Sequence, residues 1–343
     1  ALRVETFAKD AVKFGNTIEA RKKELIPFSA ATHNCVIELL QPRGKNKHAV
    51  FVVKESEAIT YSYERNPEDP RIEHDLNIRL DEYGNILEAA SVVYPRLNPD
   101  TSLPFETQQE QSKTVILYSH NQFTNDVPGE NTHRLRMSSE VKTYELKGVV
   151  KSGVYYSPAD FADILSDVNS DTAFYHEFNK PLAPGKAQKR LIEHVRTIYY
   201  RDNLTGTLPL HHLESLALPY ESYQLAYTPE LLTDIFGTKV DAGILAEGRF
   251  THSEGDDNWW IRSGTIQFKA SSESQTDAQD RFYCPVSYTD PYGAVTKVKY
   301  YGSYFLFIEE TEDVLGNKAR VDAFNFRTLS SRRMKDINGN LSE

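Results

Sequence analysis

The chain has 343 residues, is 39% hydrophobic, and carries a net charge of −10 from 39 basic and 49 acidic side chains. That length supports two or three domains or one extended array, and the acidic balance argues against a broad nucleic-acid-binding face. No run approaches the ~20 apolar residues of a transmembrane helix, and 20 Tyr and 17 Phe against two Met favour strands over helices.

Ala1-Leu2-Arg3-Val4-Glu5 begins within an apparent strand and is not a signal peptide. Candidate strands follow at residues 34–40, 49–53 and 59–65, with a polar loop at 42–47. Pro67 and Pro70 forbid a central strand over 66–70. Leu76, Ile78 and Leu80 then alternate with Asn77 and Arg79. The turn Asp81-Glu82-Tyr83-Gly84-Asn85 comes next, and residues 86–94 return. This is a hairpin with one apolar face. Residues 98–111 are polar and expected to form a mobile loop, and residues 114–119 and 141–146 are further strands.

Ser157-Pro158-Ala159-Asp160 combines an N-cap Ser, Pro at the first helical position and an acid at the third. It predicts a helix with Phe161, Ile164, Leu165 and Val168 on one face. Thr228-Pro229-Glu230 repeats the cap for a second helix ending near Gly237, and residues 214–227 are a candidate third. Pro181, Pro184 and Gly185 mark a linker, and strands dominate again from about Thr197. The expected organisation is a β-rich segment 1–148, a helix-containing connection 149–196 and a β-rich segment 197–343.

The last segment carries a repeat. Asp290-Pro291-Tyr292-Gly293 recurs as Asp313-Val314-Leu315-Gly316 and as Asp336-Ile337-Asn338-Gly339, at equal steps of 23 residues. A fixed period of this size marks stacked supersecondary units. Asp can hydrogen-bond the backbone two residues on, and Gly accepts φ > 0, so each motif predicts a tight turn. Asn317 and Asn340 follow two of the glycines, as the next residue most tolerant of φ > 0. Between the turns, residues 295–301, 304–311, 319–326 and 330–334 read as strands. A seven-residue strand spans about 23 Å, and one hairpin cannot bury its face alone, so neighbours must pair. Val298, Tyr300, Phe305, Phe307, Phe324 and Phe326 are the expected packing residues. The residues singled out as a site are the turn positions: Asp81, Gly84, Asp290, Gly293, Asp313, Gly316, Asp336 and Gly339.

Other constellations are weaker. His211-His212 has no third ligand at metal-binding spacing. Glu254, Asp256 and Asp257 lack the full pattern of a calcium loop and read as a solvated loop. Consecutive Trp259 and Trp260 in a strand face opposite ways, so one is expected in the core and the other over a neighbouring element. Cys35 and Cys284 sit in apolar strand-like runs and are expected as buried free thiols. No nucleophile elbow, phosphate loop or zinc-protease motif is present. No catalytic residue, metal or cofactor is predicted.

The Asp-x-x-Gly hairpins resemble those of Rhs/YD-repeat proteins. More specific are Tyr61-Ser62-Tyr63-Glu64-Arg65-Asn66-Pro67-Glu68-Asp69-Pro70-Arg71-Ile72-Glu73-His74, Leu213-Glu214-Ser215-Leu216-Ala217-Leu218-Pro219-Tyr220-Glu221-Ser222-Tyr223 and Glu254-Gly255-Asp256-Asp257-Asn258-Trp259-Trp260. They are similar to the middle region of the B component of bacterial Tc (toxin complex) insecticidal toxins. The resemblance runs from about residue 35 to the end and is poor over residues 9–23. It implies a mainly β fold: an extended, curved antiparallel sheet of Rhs/YD-type hairpins, with a few short helices, forming a shell wall. It implies a non-enzymatic role in a secreted toxin, enclosing a toxic C-terminal polypeptide. It implies two partners, the C component and, through the rest of a longer parent chain, the pore-forming A component. Nucleic acid and direct membrane insertion are not implied. The alternative read from the residues is a carbohydrate-binding or adhesive module, with Trp259 or Trp260 stacking on sugars.

Overall fold

A computed structural model of the protein describes residues 2–7, 18, 25–64, 66–162, 171–173 and 187–343. Strands take up 44% of the chain and helix 11%, so the mainly β expectation holds. The strands are β1 (Leu2–Thr6), β2 (Ser29–Gln41), β3 (Val50–Ser62), β4 (Arg71–Leu80), β5 (Ile86–Val93), β6 (Val115–Phe123), β7 (Val127–Pro128), β8 (His133–Arg134), β9 (Ser138–Lys147) and β10 (Asp171–Ala173). They continue as β11 (Gln188–Tyr199), β12 (Pro219–Tyr227), β13 (Trp259–Arg262), β14 (Thr265–Gln267), β15 (Ser287–Thr289), β16 (Val295–Tyr300), β17 (Ile308–Glu312), β18 (Lys318–Asn325), β19 (Ser330–Lys335) and β20 (Leu341–Ser342). The short helices among the described residues are α1 (Phe105–Gln111), α2 (Pro229–Phe236), α3 (Ala242–Glu247) and α4 (Gln275–Asp280). The chain divides into two compact units: residues 1–121 with 142–193, and residues 122–141 with 194–343.

In the first unit β1 to β6 pair antiparallel in chain order. Alternation along β4, β5 and β6 sets the core. Leu76 lies opposite Ala90, and Ala90 opposite Tyr118. His74 lies opposite Val92, and Val92 opposite Ile116. These rows share one face, and Leu146, Tyr156 and Phe161 close over it. Tyr118 is buried and donates its hydroxyl proton to Glu88 (2.6 Å). Burial first, then that hydrogen bond, pushes its ionisation far above the usual tyrosine range.

In the second unit β11, β12 and β13 pair antiparallel. The tail sheet β14 to β20 follows strict chain order. Helix α2 forms as its cap predicts: Thr228 Oγ1 accepts from Leu231 N (3.2 Å), Pro229 opens the helix and Gly237 ends it at φ 58°.

Several expectations are corrected. Residues 219–227 form β12, not a third helix: Pro219 opens the strand, and alternation places Glu221 and Tyr223 beside Arg262 of β13. The Ser157 cap starts only a 3₁₀ turn, Pro158–Phe161, although its capping box with Asp160 is complete. Ile164, Leu165, Val168 and the Pro181–Gly185 linker lie outside the described residues. The polar stretch 98–111 ends in helix α1, whose C-terminal amides fold back onto Gln109 and Glu110 carbonyls. The two strands expected at 49–53 and 59–65 are replaced by one, β3, which runs unbroken from Val50 to Ser62. Cys35 is exposed and Cys284 half-buried, because β2 runs past the core and Cys284 sits in a connector. Residues 304–307 are not strand. Phe305 takes φ 53°, so the chain bends there, and β17 begins at Ile308.

Candidate functional site

The four Asp-x-x-Gly turns share one geometry. In each, the Gly amide donates to the Asp carbonyl at 3.0 or 3.1 Å, and the Asp amide donates to the carbonyl of the residue after Gly at 3.0 Å. Asp Oδ1 accepts two further amides: Tyr83 and Asn85 at Asp81, Tyr292 and Ala294 at Asp290, Leu315 and Asn317 at Asp313, Asn338 and Asn340 at Asp336, all at 2.8 or 2.9 Å. Gly84, Gly293, Gly316 and Gly339 have φ of 81° to 88°, where a Cβ would be strained.

The asparagines have another role than the one expected. None of Asn85, Asn317 and Asn340 takes a positive φ. Their side-chain amides instead donate to the second carboxylate oxygen of Asp81, Asp313 and Asp336, at 2.8 or 2.9 Å. The motif is therefore Asp-x-x-Gly-Asn, a carboxylate held by three donors. That amide, ahead of the backbone donors, holds the Asp313 and Asp336 carboxyls below the usual carboxylate range.

Between the turns the tail sheet has two unlike faces. On one, Lys297 lies opposite Glu312 and Glu312 opposite Lys318. Lys297 and Lys318 both reach Glu312 (3.1 Å each), Lys318 also reaches Glu310 (2.8 Å), and Lys299 reaches Glu309 (2.9 Å). Val298, Thr311 and Ala319 share the next row, with Val321 and Met334 along the same alternation. Of the expected packing residues, Phe307, Phe324 and Phe326 gather with Tyr301, ring centroids 4.8 to 5.9 Å apart. Tyr300 meets Phe305 at 6.2 Å. Phe326 remains 57% exposed, so this cluster covers nothing completely.

A second constellation, missed in the sequence, surrounds Trp260. Arg196 Nε donates to Glu140 (3.0 Å), and its Nη1 donates to Asp256 (2.9 Å) and the Ser253 carbonyl (3.1 Å). The guanidinium lies 4.2 Å from the Trp260 ring centre, and Trp260 Nε1 donates to Asp256 (2.9 Å). His194 contacts Glu140 at 2.6 Å and meets Trp260 edge-on. Glu140, His194 and Trp260 are buried. Asp256 is thus not simply a solvated loop residue. Its carboxylate joins a cation and an indole across the unit's interior. Trp260 is core and Trp259 packs against His252, ring centroids 4.3 Å apart and tilted, as the alternation predicts. The signal that could have found the cluster was the His194-x-Arg196 alternation, which puts both side chains on one face of β11.

His211, at φ 66°, brings Nδ1 to 2.7 Å from Ser139 Oγ, while its Nε2 lies 3.7 Å from Glu140. Ser, His and Glu stand in a row, but the Gln122 carbonyl, 3.1 Å from Ser139 Oγ, competes with His211 for the serine proton. Ser139 is also only 1% exposed. His212 turns away to the Leu210 carbonyl. Among the described residues no group of three or more His, Cys, Asp or Glu is placed to hold a metal ion, and no helix is long and apolar enough to cross a membrane.

Residues 1–144 match the family described as the insecticide toxin TcdB middle/C-terminal region. A crystal structure of TcdB2-TccC3-Cdc42 superposes with a TM-score of 0.64 at 16% identity, covering 99% of this chain and 15% of that one. TcdB2-TccC3 matches with a TM-score of 0.62 at 18% identity, covering 99% and 16%. The Photorhabdus luminescens Tc holotoxin pore gives 0.62 at 18%, covering 99% and 15%. No curated relative matches. The chain spans about 15% of the length of the solved chains it resembles. The resemblance to the middle region of the Tc toxin B component holds, but its span is corrected: the sequence match covers residues 1–144, including 9–23, rather than running from about residue 35 to the end, and beyond residue 144 the likeness to the solved structures is one of fold.

Proposed function

We propose that this chain is a non-enzymatic structural segment of a toxin-complex B component, part of a hollow Rhs-repeat shell that encloses a cytotoxic C-terminal polypeptide for delivery. Residues 1–148 and 197–343 supply wall, and 149–196 connects them. The repeat turns at Asp81, Asp290, Asp313 and Asp336, with their glycines, are the structural site. The partners are the C component, which completes the shell and brings the cargo, and, through the rest of the parent chain, the pore-forming A component. The assembly acts outside the producing cell.

The observation that carries this reading is strand order. Each strand of β1 to β6 and of β14 to β20 pairs with the next strand along the chain. A sheet built this way extends without limit, keeps its interior strands paired on both sides and so leaves few adhesive edges. It is suited to a barrier and has no need of a convergent pocket. The sugar-binding alternative cannot use Trp260, which is 0% exposed with its indole N–H already bonded, and is left with Trp259 alone.

The test is made on the parent B component co-purified with its C component. The enclosed polypeptide is expected to survive protease treatment in the intact assembly, and to be cut when Asp313→Ala and Asp336→Ala are combined. Digestion of the cargo at the same rate with and without the B component rejects containment.

A further inference from the structure

We infer that His74 is an acid-sensitive latch that holds residues 151–161 onto the sheet of the first unit. His74 belongs to β4 and is 0% exposed. Its ring meets Tyr94 and Tyr155 at 6.2 and 6.4 Å, and Tyr94 packs on Tyr155 and Tyr156 at 5.1 and 6.1 Å. Tyr156 in turn packs on Phe161, and its hydroxyl donates to the Val149 carbonyl. The strap's grip on the sheet is thus largely aromatic, and His74 lies beneath it.

The hydrogen bonds form a chain with one direction. The Tyr156 amide donates to Tyr94 Oη (2.8 Å). That oxygen is then an acceptor, and its own proton goes to His74 Nδ1 (3.1 Å). With Nδ1 accepting, the proton of a neutral imidazole sits on Nε2 and points to Glu57 (3.1 Å). Every link is satisfied while the ring is neutral. A protonated ring has two donors and no acceptor. Its Nδ1–H would face an oxygen already accepting from Tyr156, and the Tyr94 proton would lose its acceptor. The link that fails is Tyr94 Oη–H to His74 Nδ1, and Tyr94 is the residue whose oxygen holds the strap through the Tyr156 amide.

The surrounding charges do not reverse this. Glu57 on β3 and Asp75 on β4 favour the imidazolium, but burial outweighs them and holds His74 below its ordinary value. On the strap side stand Lys151, 5.9 Å from the Tyr94 ring centre, and Asp160, bonded to Ser157. Tyr61 joins from β3 through its hydroxyl contact with Tyr155 (3.2 Å), and burial pushes Tyr94 up to about 12, so it stays a proton donor. Because the folded state binds the proton more weakly than the unfolded state, the contribution of His74 is complete above the ordinary histidine range. It is lost as pH falls through that range and below.

The test uses the full chain and reads hydrogen exchange at the Tyr156 amide at about pH 7.5 and about pH 5. After correction for intrinsic rates, protection is expected to fall roughly three- to tenfold in acid. In His74→Gln, which cannot be protonated there, it is expected to be the same at both pH values. Equal protection in the wild type, or the same acid loss in the variant, overturns the latch. Should His74→Gln not fold, NMR titration of His74 in the wild type decides. A midpoint below about 6.5 with the proton on Nε2 supports the inference; a higher midpoint, or the proton on Nδ1, overturns it.

Discussion

Strands β1 to β6 of the first unit and the strands of the tail sheet both pair antiparallel in chain order, yet different forces specify them. In the first, rows of Leu76, Ala90 and Tyr118 and of His74, Val92 and Ile116 are removed from water, and the apolar area they bury drives the fold. In the tail no residue from 287 to 343 is buried. Its register is set instead by repeated Asp-Gly turns, backbone pairing and the Lys–Glu ladder of β16, β17 and β18. Surface ion pairs contribute little each, so the turns and the backbone dominate. A repeat can therefore be encoded in very few residues, at the cost of a sheet with little cohesion of its own.

The largest expected effect lies where the tail begins. Gly264 has φ +84°, and a Cβ there would sit 2.3 Å from the Thr289 carbonyl oxygen and 2.9 Å from Asp290 Cα. Gly264→Ala should cost about 4 kcal/mol or more and abolish exchange protection across Thr265 to Gln267. Normal protection there removes the idea that the tail is anchored at this joint. Next comes the core contrast. Leu76→Ala should destabilise the first unit by about 2–5 kcal/mol, whereas Val298→Ala in the bare tail should cost less than about 1 kcal/mol. Comparable losses by thermal unfolding would mean the tail does have a core. Gly316→Val is intermediate. A Cβ there meets nothing within 4 Å, so only the φ of +81° is strained, and about 1–3 kcal/mol is expected. An unchanged melting temperature would count against the turn.

What could be read from the sequence follows the same division. The tail turns were legible because Asp and Gly at a 23-residue period leave a local backbone with one solution. The apolar alternation of Leu76, Ile78 and Leu80 was legible for a similar reason. Phe305 to Phe307 misled because aromatic runs favour strands unless a positive φ intervenes, and nothing local announces that φ at Phe305. Residues 214–227 misled because Pro219 suits a helix start as well as a strand start. The Arg196, Glu140 and Asp256 cluster joins residues up to 116 positions apart in the chain, and no local pattern reports such a meeting. His74 showed no signal either, since its partners Glu57, Tyr94 and Tyr156 are set by register and by the strap.

The smallest effect is the most direct test of how the turns are written. Three of the four turns use Asn after Gly, and the fourth has Ala294, whose amide still reaches Asp290 at 2.8 Å. The missing interaction is one side-chain hydrogen bond, the 2.8 Å contact that Asn317 makes to Asp313. Ala294→Asn should therefore raise local exchange protection of the Asp290 turn by at most about fivefold, the scale of one net hydrogen bond. The reverse change, Asn317→Ala, should let the Asp313 carboxyl rise back toward the usual carboxylate range, since the Asn317 amide is the largest cause of its lowering. The sign follows from linkage: a carboxyl held low in the folded state stabilises above its ordinary range and loses that contribution as pH falls through the lowered value. In wild type the Asp313 turn should accordingly open in acid at a lower pH than in Asn317→Ala. If carboxyl titration by NMR shows the same midpoint in both proteins, the asparagine is a bystander and the motif ends at glycine.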